Sequence, residues 1–216
     1  MAPSRGAQPR GSPHLPGAPR VRRTQRERSA ETRARVLDAA LECLSREGYR
    51  GTTTTAVTQR AGVSRGAQLH HFPTRASLVS AALRRLYAEL TEQYEKAFAS
   101  LDPRAHRLDA AVELLWRVMR DPRLDAAIEL TVAARTDAEL RSEVAAVARS
   151  HRANIGRLAR AYFPEEAAAP DFDARVDLVL DALQGLVLRC RLHGEDLGVA
   201  RSLALVKALA AGGRGR

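Results

Sequence analysis

Residues 53–72, TTTAVTQRAGVSRGAQLHHF, decide the fold. Thr53 is a helix N-cap by residue type, and Val57 and Ala61 fall on one face of a two-turn helix. Gly62 stands where that helix must end and the chain must turn, a position that often needs left-handed backbone. Val63 plugs the turn. Ser64 can then cap a second short helix, which carries Arg65, Leu69 and His70 on one side and ends near Phe72. Two short helices, a tight turn holding a glycine and apolar residues at the corner spell a helix-turn-helix, whose second helix is shaped to enter the major groove.

Working outward from that stretch, five blocks stand in a telling order: Gly48-Tyr49, Thr52-Thr53, Ala61 through Gly66, His71-Phe72 and Thr74 through Leu78. In order and spacing this resembles the TetR family of bacterial transcriptional repressors, over about residues 30 to 90. The family usually shows Leu-Tyr where this chain has Gln68-Leu69, so the tyrosine that grips a phosphate in such proteins is absent. Gln68 also occupies a position where a helix-turn-helix normally wants an apolar residue; it is either tucked against the first helix or tilts the reader. The resemblance implies an all-α protein: an N-terminal three-helix helix-turn-helix domain plus a C-terminal helical ligand-binding and dimerisation domain. It also implies a homodimer, double-stranded operator DNA as partner, and a repressor released by a small organic effector.

Composition agrees with a helical DNA-binding protein. The chain has 216 residues, 45% of them apolar and only 4% aromatic, with a formal charge of +10. No run of about 18 apolar residues is present, so no membrane partner is expected and the reading is cytoplasmic, with nucleoid association when bound to DNA. The positive charge favours an anionic partner, nucleic acid first. Lys96 and Lys207 are the only lysines; the remaining cations are arginines, which can grip phosphate bidentately, although a GC-rich genome gives the same bias. Cys43 and Cys190 fall among apolar residues and read as small core residues. His70 and His71 are adjacent and point to different sides of a helix, so no metal or cofactor is called for.

Residues 1–28 hold five prolines, several glycines and almost no apolar side chains, and read as a disordered basic arm, either reaching along DNA or merely solvated. The helix-turn-helix domain follows over 30–90 and the helical domain over 91–212. Ser29 is expected to cap a first helix running to Glu47 and closed by Gly48. Thr74 caps a long helix to about Ser100, with Leu78, Ala82, Leu86 and Leu90 at four-residue spacing. A helix to Arg120 carries Leu108, Val112, Leu115, Trp116 and Met119 on one stripe. Thr136 with Glu139 spells a capping box for a helix reaching Tyr162. Residues 171–211 form two apolar helices whose seams, Val176, Val179, Leu180, Leu183, Val187 and Cys190 on one and Leu197, Leu203, Val206 and Leu209 on the other, suit a hairpin that pairs with a second copy or is consumed inside the monomer.

No nucleophile with a base, phosphate loop or HExxH spacing appears, so no enzyme is expected. His106, His151 and His193 stand alone and read as surface or hydrogen-bonded residues. Groove-facing candidates are Ser64, Arg65, Gly66, Leu69 and His70, with Thr53 and Arg75 on phosphates. Arg65 suits guanine O6 and N7, and Leu69 a thymine methyl. By the family resemblance, Trp116 and Met119 are effector-pocket candidates, although packing explains each equally well. A helical protein-interaction scaffold would use the seams but leave the helix-turn-helix idle.

Overall fold

The computed structural model describes residues 24–100, 107–194 and 198–212. Among these, the chain is all-helical, as expected. Helices α1 (Gln25–Gly51), α2 (Thr54–Ala61) and α3 (Arg65–His71) form a compact group, from which α4 (Arg75–Ala99) leads into α5 (Arg107–Met119), α6 (Asp125–Ala133), α7 (Ala138–Tyr162), α8 (Phe172–His193) and α9 (Val199–Ala210). Two short 3-10 turns, Pro122–Leu124 and Glu166–Ala168, precede α6 and α8.

The first helix starts earlier than expected. Thr24, not Ser29, is its N-cap: the Thr24 hydroxyl accepts from the Glu27 N–H at 3.2 Å, and the Glu27 carboxylate accepts from the Thr24 N–H at 2.7 Å. Two helix-end donors are satisfied reciprocally. Residues 25–28 are therefore helical, and only residues 1–23 of the expected arm lie outside the described residues. At the other end the helical path breaks at Gly48, whose φ is +67°. A Cβ there would stand 2.9 Å from Glu129 Oε2 of α6. The positive φ requires glycine at this point, and the Glu129 carboxylate packs closely over it. Thr52 closes the corner from inside, its hydroxyl donating to the Gly48 carbonyl at 2.8 Å.

The core runs through both parts of the chain. Val36, Leu37, Ala40, Cys43 and Leu44 of α1 bury against Val57 and Phe72, and the α4 row Leu78, Ala82, Leu86 and Leu90 is fully buried. At about 1.5–3 kcal/mol per buried leucine, the α4 row is a large apolar commitment by one helix. It packs on α1 and most extensively on α7. Polar groups fix the register between these helices. Arg85 donates to the Ala34 carbonyl and pairs with Asp38 of α1 and Glu89 of its own helix. Glu89 in turn takes Arg123, which also pairs with Asp121.

Two further expectations are corrected. The cap of α7 is Asp137, whose Oδ1 accepts from the Leu140 N–H at 2.9 Å, while the Thr136 hydroxyl turns back to the Ala133 carbonyl. Aspartate caps at least as well as threonine, and here it stands one residue nearer the helix. Most of the two seams is consumed inside the monomer: Val179, Leu180, Leu183 and Val187 of α8 and Leu203 and Val206 of α9 are buried, Val176, Cys190 and Leu209 are half-buried, and Leu197 lies outside the described residues. A different row faces outward, with Leu178, Leu188 and Leu192 on α8 and Leu205 on α9 all exposed.

Candidate nucleic-acid interface and helical-domain cavity

The helix-turn-helix is built by its caps. Thr53 Oγ1 accepts from the Ala56 N–H at 3.1 Å to start α2, and Gly62, with φ +61°, ends it. Ser64 Oγ accepts from the Ala67 N–H at 3.2 Å to start α3. From outside the motif, Arg35 of α1 clamps the turn, its Nε donating to the Ala61 carbonyl at 3.1 Å and its Nη2 to the Gly62 carbonyl at 2.7 Å. Sequence reading missed Arg35, since one arginine on the polar side of a helix looks like any other.

Thr53, Ser64, Arg65, Gly66, Leu69 and His70 are all exposed. Leu69 is 42% exposed. Nothing in the fold demands glycine at position 66, where a Cβ would meet only Ser64 Oγ at 4.0 Å. His71, half-buried, has its imidazole pKa lowered by burial, by His70 and by Arg33. Gln68 is tucked inward at 1% exposure, and its side-chain oxygen has no hydrogen-bond partner. Of the two readings for this residue, burial against the domain is therefore the observed one.

Arg75 differs from its expected placement. Its guanidinium lies over the Tyr49 ring at 3.9 Å, with Nε and Nη2 buried and unpaired, rather than reaching out from the start of α4. The Tyr49 hydroxyl meets Asp137 Oδ2 at 3.5 Å, so the end of α1, the start of α4 and the cap of α7 converge on one ring.

A cavity of about 270 Å³ lies in the helical domain. Tyr87 and Tyr94 of α4, Met119 of α5, Ile128 and Thr131 of α6, His151 and Arg152 of α7, and Leu180 and Gln184 of α8 contribute to its wall. The Tyr87 and His151 rings stack face to face at 3.8 Å with 4° between planes. His151 Nδ1 is buried without a partner, and burial together with the nearby Arg152 charge lowers the imidazole pKa to about 4. Burial pushes the Tyr87 phenol up to about 12 and the Tyr94 phenol higher still. These residues are therefore neutral at physiological pH. The same two rings also line a surface groove of about 170 Å³ with Arg84, Ser150 and Asn154.

Of the two pocket candidates, Met119 lines this cavity and Trp116 does not. The tryptophan is buried at 6% exposure, with the Arg120 guanidinium 5.6 Å from its ring. Sequence reading took His151 for a surface or hydrogen-bonded residue, whereas it lines the cavity with Nδ1 buried and unpaired, and the signal was available. Leu140, Val144, Val147, His151 and Ile155 follow one helical stripe, so a lone polar ring stood in an otherwise inward register.

A helix-turn-helix with an exposed second helix, joined through a long shared helix to a cavity-bearing helical domain, is the architecture of a DNA-binding transcriptional regulator. Comparison with known proteins gives the family. A profile for bacterial regulatory proteins of the tetR family matches residues 36–82. An HTH-type transcriptional regulator of Mycobacterium bovis is 32% identical over 196 residues, 88% of this chain and 98% of that protein. The HTH-type transcriptional regulator CymR of Pseudomonas putida is 37% identical over 123 residues, which span 57% of this chain and 61% of CymR. Among solved structures, a transcriptional regulator from Pseudomonas aeruginosa PAO1 superposes with a TM-score of 0.66 at 23% identity, over 88% of this chain and 92% of its own. The multidrug binding protein EbrR, complexed with imidazole, gives 0.62 at 24% identity over 82% and 93%. The chain belongs to the TetR family of DNA-binding transcriptional regulators. No described helix is long and apolar enough to cross a membrane.

Proposed function

We propose that the protein is a homodimeric repressor that leaves its operator when a small organic molecule occupies the 270 Å³ cavity. One observation carries this reading. Helix α6 supplies Ala127, Ile128 and Thr131 to the cavity wall, and its Glu129 carboxylate sits against Gly48, where α1 of the DNA-binding unit ends. An occupant that displaces α6 therefore moves the platform on which α2 and α3 rest. Two families of states result, and a ligand shifts the balance only as far as it prefers one of them.

On the DNA side, Arg65 is assigned to a guanine edge, Leu69 to a thymine methyl, and Ser64, Gly66 and His70 to close approach along the groove. The Thr53 oxygen already accepts its cap bond, but its O–H remains able to donate to phosphate. Arg75 is reassigned from phosphate to holding Tyr49. The dimer of residues 171–211 uses the outward row Leu178, Leu188, Leu192 and Leu205 rather than the buried seams. Two-fold pairing must set the reader helices roughly 34–36 Å apart to dock in successive major grooves.

The test begins with selection of a binding sequence from random duplex DNA. Spin labels on α3 of each copy then report the distance between readers with and without a molecule that releases that duplex. A change in separation is expected. Release with an unchanged distance distribution would refute the proposed coupling.

A further inference from the structure

The chemistry of the cavity wall states what kind of molecule it suits. Tyr87 and Tyr94 are both inside the cavity lining, and among the described residues neither hydroxyl has a hydrogen-bond partner. Phenols are O–H donors, so each can give a hydrogen bond to an acceptor on the occupant. His151 adds a ring nitrogen without a partner. Thr131 is different: its O–H is already given to the Ala127 carbonyl at 2.8 Å.

Charge narrows the class further. No aspartate or glutamate lines the cavity, and Arg152 is its one charged side chain among the described residues. Three acids in this region are already paired, Asp177 and Asp181 with Arg152 at the cavity wall and Asp121 with Arg123. A buried cation would thus find neutral oxygens, of the two phenols and of Gln184, but no carboxylate on the wall itself, the Arg152 charge being balanced by its two aspartates. Such a burial is strongly unfavourable. Gln184 adds a neutral amide, and the remaining wall, including Met119, Ile128, Ile155 and Leu180, is apolar. Ile155 also borders a smaller, almost wholly apolar pocket of about 60 Å³.

We propose that the cavity accepts a compact, mainly apolar organic molecule that bears an oxygen acceptor and no positive charge, the oxygen being received by the Tyr87 and Tyr94 hydroxyls beside His151. This rests on the cavity being the effector site, and it fixes the class of molecule that site admits. The assignment is specific to these side chains, since one glutamate on the wall would reverse it.

The experiment uses three probes of nearly one shape: cyclohexanecarboxylate, cyclohexanecarboxamide and cyclohexylmethylamine. Binding to the full chain without DNA is measured by titration calorimetry, and release of the selected duplex is measured separately. The acid or the amide should bind at least tenfold more tightly than the amine. Tyr94→Phe and Tyr87→Phe should each weaken that binding about 3- to 10-fold, as expected for loss of one hydrogen bond. Equal or tighter binding of the amine overturns the proposal, as does binding of none of the three. Unchanged affinity in both phenylalanine variants overturns the assignment of the oxygen to the phenols. Selective binding without release of DNA would leave this proposal standing and remove the effector reading. Preferential binding and release by the amine would do the reverse.

Discussion

Replacing Gln68 by leucine should make the protein more stable. In the native fold this amide is at 1% exposure on α3, and its oxygen has no partner. A buried acceptor left unpaired costs about 1–3 kcal/mol, and leucine offers an apolar side chain of similar volume with no group to satisfy. A gain of about 1–2 kcal/mol follows once imperfect packing of the new branch is allowed for. In a chain of this length each kcal/mol moves the thermal midpoint by roughly 2–4 °C, so a rise of about 2 to 8 °C is expected by differential scanning calorimetry. Gln68→Ala removes the same oxygen but leaves a void, so its gain should be smaller or reversed. Because Gln68 faces inward, the base preferences of the selected duplex should not change with Gln68→Leu. An unchanged or lowered midpoint would refute the reasoning, since the oxygen would then be satisfied in solution. An altered base preference would show instead that the amide sets the tilt of the reader.

Three other outcomes are expected. Arg65→Ala should cost about 1–3 kcal/mol of specific binding and relax preference at one base pair per half-site, measured by competition between duplexes; an unchanged profile would reduce Arg65 to a phosphate or surface charge. The folded His151 titrates near pH 4, against about 6.5 when unfolded, so the unfolded chain takes up a proton that the native state refuses as pH falls. Stability that is complete above pH 6.5 is therefore lost progressively toward pH 4, by at most about 3 kcal/mol. Urea unfolding across that range should show a shallower decline for His151→Gln than for the unmodified protein, and parallel declines would contradict the assignment. Deleting residues 1–23, which hold five arginines and no acidic residue, should flatten the plot of log K against log salt by about 0.9 per lost phosphate contact. An equal slope would mean that this segment does not touch DNA.

What the sequence discloses is local, and the elements show why. Thr53, Ser64 and Thr74 act through hydrogen bonds spanning three residues, and Gly62 through its own φ, so side-chain type alone placed the helix-turn-helix correctly. The start of α1 was also spelled locally, by Thr24 and Glu27, but within an arginine-rich stretch that reads as a tail. At α7 two capping residues stood side by side, and the choice between Thr136 and Asp137 rests on backbone geometry that pattern does not carry. The outward row of α8 was missed because an apolar helix offers more than one seam, and only packing decides which one is buried. Nor could the cavity be read directly, since it is the space left between five helices far apart in the chain. Its most distinctive residue, His151, was nonetheless visible as the one polar ring in an inward stripe.

The stacked pair of Tyr87 and His151 borders the cavity on one side and the surface groove between α4 and α7 on the other. At this point two aromatic rings stand between the two hollows. Rotation of a side chain is faster and less costly than parting two helices whose contact is the most extensive in the molecule. Passage between the two hollows therefore depends on the side chains at positions 87 and 151.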